Sequence, residues 1–297
     1  MELIPVTKGE AGGPYDIVGG PDGALWLTLV HTGEIARLTG DGQVDRYALD
    51  APACGPTVLT PGPDGALWFA RTWDHRIGRI AVGGGAVSSA SFALPAPEAG
   101  PYGIVAGADG ALWFTQTHVD RIGRITTAGE VGEFPLPVTG GFPSGIAAGP
   151  DGALWFTLHQ ADMVGRIDLE GRVTTHPLPT RGAGPVRIAS GPGDELFFAE
   201  IGAGQIGRIS VEGRIEEFPL PDRACKPHAV AVAPDGVCWF TEWGANRVGA
   251  LAPDGHLTEY PVPPPGGEPH GLTVTADGTV HVALETGEVG RLATGAR

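Results

Sequence analysis

The chain has 297 residues, 42% of them hydrophobic, with 49 Gly, 28 Pro and a formal net charge of −15. So many helix breakers fit short strands joined by turns, and the absence of a three-residue glycine period excludes collagen. Basic residues are few and scattered, which excludes a nucleic-acid groove or an anionic membrane surface as partner.

In chain order, the start MELIPVTKGE lacks a basic segment leading into an apolar one, and no apolar run reaches about 18 residues. Cys54, Cys225 and Cys238 make no CxxC pair, so neither a disulfide framework nor a zinc site is indicated. A cytoplasmic monomer is the expectation. Glu2-Leu-Ile-Pro-Val then reads as a short proline-bearing strand.

From there a phrase near GPDGALWFT recurs, with turns at Asp22-Gly23, Asp64-Gly65, Asp109-Gly110, Asp151-Gly152, Asp235-Gly236 and Asp277-Gly278, and a degenerate copy at Gly193-Asp194. The steps are 42 residues, with one of 45, which is the period of a four-stranded propeller blade. Within one unit, Gly103-Ile-Val-Ala leads through Asp109-Gly110, a type I′ hairpin signal, into Ala111-Leu-Trp-Phe-Thr. Arg121-Ile-Gly-Arg-Ile follows, then Glu133-Phe-Pro-Leu-Pro, whose prolines suit an exposed rim. Trp26, Trp68, Trp113, Trp155 and Trp239 share one position and are expected to pack between neighbouring blades. The seventh unit ends after its third strand, so Glu2-Leu-Ile-Pro-Val supplies the fourth. The sequence therefore predicts an all-β, seven-bladed β-propeller as one domain over residues 1–297, its last blade shared between residues 1–8 and 269–297.

Repeated residues build such a scaffold, so function is sought where equivalent positions differ. Seven residues before each turn, directly after a proline, stand Tyr15, Thr57, Tyr102, Ser144, Val186, His228 and His270, a ring at one mouth of the channel. His228 and His270 belong to adjacent blades. A two-residue turn at Asp277-Gly278 sets His270 opposite Glu285, the only acid at its position among the seven blades. Glu268 lies two residues before His270; Glu200 and Glu242 add negative potential nearby. Two carboxylates with little nitrogen or sulfur suit a hard divalent cation, Mg²⁺ before Ca²⁺, and a neutral histidine beside it suits a general base. No Gly-x-Ser-x-Gly elbow is present. The residues point to metal-assisted proton abstraction, with a non-catalytic ligand-binding propeller and a metal-dependent lactonase as alternatives.

The repeats, together with Lys226-Pro227-His228, Glu268-Pro269-His270-Gly271 and Ala283-Leu-Glu285-Thr-Gly, resemble the virginiamycin B lyase (streptogramin lyase) family over the whole chain. The resemblance implies linearisation of type B streptogramins, cyclic depsipeptides, by elimination at the ester. It implies His270 as the general base, Glu268 and Glu285 as Mg²⁺ ligands and His228 as a substrate contact. Tyr15 and Tyr102, on the same ring, are further candidates for substrate binding.

Overall fold

The structure is a computed structural model describing residues 1–7, 12–83, 86–263 and 266–293. Twenty-eight strands form seven four-stranded antiparallel sheets, with no α-helix among the described residues. This is the seven-bladed propeller expected. Strand β1 (Glu2–Pro5) lies on β28 (Glu288–Leu292), pairing Glu2 with Arg291 and Pro5 with Glu288, outside β27 (Val280–Leu284) and β26 (Pro269–Val274). The last blade is thus closed by the chain's first strand. Residues 8 and 294–297, included in the expected boundary, lie outside the described residues.

The recurring phrase has a physical role at each letter. Trp68, Trp113 and Trp155 are fully buried, and Trp68 packs with Leu112 and Phe114 of the next blade. Each indole N–H donates to its turn aspartate, as from Trp68 to Asp64 (3.0 Å) and from Trp113 to Asp109 (3.1 Å). The second carboxylate oxygen accepts from Arg79 or Arg124, whose guanidinium lies over the same indole.

One expectation is corrected at the turns. Gly278 has φ +82° but Asp277 does not adopt positive φ, and Thr275 N–H donates to Thr279 O. These are three-residue loops, a type I turn followed by a left-handed glycine, and not type I′ turns. Asp277 accepts from Thr275 Oγ1 and from the Thr279 N–H, bonds that suit a helical backbone at that residue.

The innermost strand of blades two to seven carries a β-bulge just after its proline. The threonine of the LWFT phrase fills it in several blades. Thr241 Oγ1 accepts from Ala229 N–H (3.0 Å) and donates to the carbonyl of His270 in the next blade (2.8 Å). Thr115 and Thr157 do the same between their blades. Thr57, Ser144, Val186 and His270 on the ring are therefore fixed by the blade before them.

Loss of β1 exposes the β28 edge and removes Val6, Ile4 and Leu3 from two cores. Buried aliphatic side chains contribute about 1.5–3 kcal/mol each, and 1 kcal/mol moves the Tm of a chain this long by about 2–4 °C. Truncation of residues 1–7 is expected to lower the Tm by roughly 10 °C; an unchanged melting curve excludes closure by this strand.

Candidate active site

The bulge decides how the lip of blade seven is built. Thr273 faces His281 and Val274 faces Val280, but after the bulge Pro269 faces Leu284, and Glu285 N–H lies 3.4 Å from Glu268 O. His270 thus has no direct cross-strand partner, contrary to the two-residue-turn register. It sits in the bulge, where its imidazole still reaches Glu285, with Nε2 3.2 Å from Oε1. Gly271 must be glycine here: its N–H donates to Tyr15 O (2.8 Å), and a Cβ would stand 2.4 Å from Asp16 Oδ1.

Around His270 the structure gathers the expected residues. Its ring is 5.1 Å from that of His228 and perpendicular to it, and 4.9 Å from that of Tyr15. Tyr15 OH lies 2.8 Å from Tyr102 OH. Glu268, His270 and Glu285 offer ligand atoms within 4.8 Å of one another. Glu268 is exposed and adopts φ +46°, a strained conformation for a residue with a side chain.

Electrostatics separate the two histidines and the acids. The His270 imidazole beside it holds the Glu285 carboxyl down to about 2, with His31 Nε2 also 3.6 Å away. Burial, with His270 adjacent, pushes His228 down to about 3, so it is neutral at ordinary pH. Nδ1 of His270 and Nδ1 of His228 have no hydrogen-bond partner among the described residues, while Nε2 of His270 meets the Glu285 carboxylate. Buried polar atoms are ordinarily satisfied, so this corner is built to meet something from outside the chain. Two carboxylates and an imidazole at one lip are a fitting donor set for a hard divalent cation.

A profile of the virginiamycin B lyase family matches residues 1–292. The chain belongs to the virginiamycin B lyase family. Its fold superposes on the crystal structure of virginiamycin B lyase from Staphylococcus aureus with a TM-score of 0.93 and 38% identity, over 98% of this chain and 97% of that one. A catalytically inactive H270A form of the S. aureus enzyme with quinupristin gives 0.93 and 37%, over 98% and 97%. A virginiamycin B lyase of Saccharopolyspora erythraea is 63% identical over 41 residues, a segment covering 14% of each protein.

Beneath the lip of this family member lie two residues that the sequence comparison passed over. Asp16 and Arg187 stand one position after Tyr15 and Val186, and they meet across the channel, Nη2 to Oδ1 2.8 Å. Asp16 also accepts from Leu59 N–H (3.2 Å). Burial raises the carboxyl of Asp16 against the pull of Arg187, and raises Tyr15 and Tyr102 above the usual phenol range. The phenols stay neutral over a buried ion pair that floors the site. Among the seven equivalents (Asp16, Val58, Gly103, Gly145, Arg187, Ala229, Gly271) these two alone carry charge, with opposite signs. That contrast was the available signal.

Glu200 and Glu242 do not supply potential to the lip. Both are fully buried, Glu200 against Gln205 (2.7 Å) and Glu242 against Arg247 (3.0 Å). Burial, helped by the charge of Glu217, pushes Glu200 up to about 8, and burial pushes Glu242 to about 7. An unfolded glutamate titrates near 4.3, so the folded chain binds the extra proton between those values. Stability from Glu200 is full below about pH 4.3 and is lost as pH rises towards about 8. Glu200→Gln is expected to flatten that decline and to melt higher than the parent at pH 8.5. A Tm profile unchanged by the substitution excludes this titration.

Proposed function

We propose that this chain opens type B streptogramin antibiotics, cyclic depsipeptides closed by an ester, through elimination, and so gives resistance to them. The observation that carries the reading is His270: a buried imidazole with Nε2 on Glu285 and Nδ1 without a partner among the described residues, beside Glu268, in a member of the virginiamycin B lyase family. The relative solved with quinupristin supports the substrate class.

In this reading His270 takes the α-proton of the residue whose β-oxygen closes the ring. The C–H electron pair becomes a Cα=Cβ bond, and the Cβ–O bond breaks, leaving its pair on a carboxylate. Glu268 and Glu285 would hold a divalent cation, taken as Mg²⁺, which when bound polarises a substrate carbonyl and makes the α-proton easier to remove. His228, kept neutral by burial, orients substrate without repelling the cation. Tyr15 and Tyr102 share one hydrogen bond, which leaves one phenol proton to donate to a substrate oxygen. The open lip of a propeller suits a macrocycle too wide for a deep pocket.

The competing chemistry is hydrolysis through an activated water, and mass separates the two. Elimination gives a product isomeric with quinupristin, with no ¹⁸O in the new carboxylate when the reaction runs in H₂¹⁸O. Label in that carboxylate, or a gain of one water, overturns the proposal; an intact antibiotic supports a binding role instead.

A further inference from the structure

Comparison of blades six and seven gives the lip a second half. Blade seven presents Glu268, His270 and Glu285 at three positions; the same three positions in blade six hold Lys226, His228 and Trp243. The first member of each set adopts positive φ, +46° at Glu268 and +51° at Lys226, as does Phe142 of blade four (+54°), where three other blades have the left-handed glycines Gly55, Gly100 and Gly184. A side chain held in this conformation costs free energy, and such strain collects at functional positions. Room for it is made next door: a Cβ on Gly244 would come 3.2 Å from Lys226 Cγ, whereas the equivalent positions in blades two and three carry Trp73 and His118.

Lys226 Nζ stands 4.9 Å from the ring centroid of Trp243, and that ring is 6.2 Å from the ring of His270. The indole N–H finds no acceptor among the described residues, so the cation above it braces the ring. Both residues line a depression of about 370 Å³ that runs up to Glu268. In a chain of net charge −15, no carboxylate among the described residues pairs with Lys226. Blade seven therefore offers two acids, and blade six offers an unpaired cation at the corresponding places.

Resting on the elimination reading, we propose that Lys226, braced on Trp243, receives the carboxylate that ring opening releases. As His270 takes the α-proton and the Cβ–O bond breaks, the pair left on the ester oxygen creates a negative charge that the neutral ester lacked. An ammonium at that point attracts product and transition state more than substrate. The blade-seven half holds a cation and the blade-six half holds the departing anion.

Binding measurements test this without turnover. The probes are quinupristin and the hydroxy acid made by saponifying its lactone, titrated with Mg²⁺ present against H270A and H270A carrying a second substitution. Lys226→Met is expected to weaken the acid about tenfold and the lactone less than twofold, and Lys226→Arg to restore the acid. Lys226→Gly relieves the strained backbone, so its Tm should match or exceed the parent's while acid affinity still falls tenfold. Equal losses for acid and lactone, no loss for either, failure of arginine to restore, or a lower Tm for the glycine variant overturns the role of Lys226. Whether the chain eliminates at all is read separately, from the product mass of the parent protein.

Discussion

His270→Ala is expected to slow ring opening roughly 10²–10⁴-fold, the usual value of a positioned general base. No neighbour replaces it. His228 is adjacent but is held neutral with a strongly depressed basicity by burial, so it is a poor proton acceptor, and Glu285 is weaker still. The loss should appear in kcat with KM little changed, because the imidazole acts on a proton that moves only in the transition state. The fold should persist: His270 contributes to no core cluster, and its backbone carbonyl still accepts from Thr241. A variant with near-parental kcat assigns the base elsewhere.

Removing both acids gives the second large effect. Glu268→Gln and Glu285→Gln singly are expected to raise the Mg²⁺ needed for half-maximal rate, by roughly tenfold or more, since each replaces an anionic ligand by a neutral one. The double variant should fall to the level of chelated parent protein, and EDTA should silence the parent until Mg²⁺ is returned. Glu285 has a further part, because its carboxylate also lies beside His270. Full activity of the double variant in EDTA rules the metal out.

The blade count, the strand order and the closing strand were legible because blades two to four repeat Asp-Gly-x-Leu-Trp-Phe and the other four carry recognisable variants of it, with the Trp and Asp tied by a hydrogen bond. The ring at the lip was legible for the opposite reason: its seven positions differ. The approach of His270 to Glu285 was reached through a two-residue turn that the chain does not make. The three-residue loop and the bulge at His270 each shift the register one residue in the same direction, so Glu285 comes to lie against Glu268 and the His270 imidazole reaches it from the bulge. Burial was the poorly legible quantity. Nothing local tells that Glu200 and Glu242 turn inward between blades, or that Arg187 reaches Asp16 171 residues away, since both depend on the curvature of the closed ring.

Closure by β1 sets a timetable for making the protein. Glu2 must wait for Arg291, 289 residues later, before it finds its ladder partner. Contacts so distant in sequence make folding slow, and until they form the nascent chain carries two unpaired edges. The reactive corner straddles that junction: Tyr15 meets His270, 255 residues further on, and His31 meets Glu285, 254 residues further on. Fragments ending before residue 285 keep His270 and Glu268 but lack Glu285 and the strand that pairs with β1, so the complete corner arrives only with the final blade. Activity recovered after refolding therefore reports ring closure directly, and it should lag behind the gain of sheet structure.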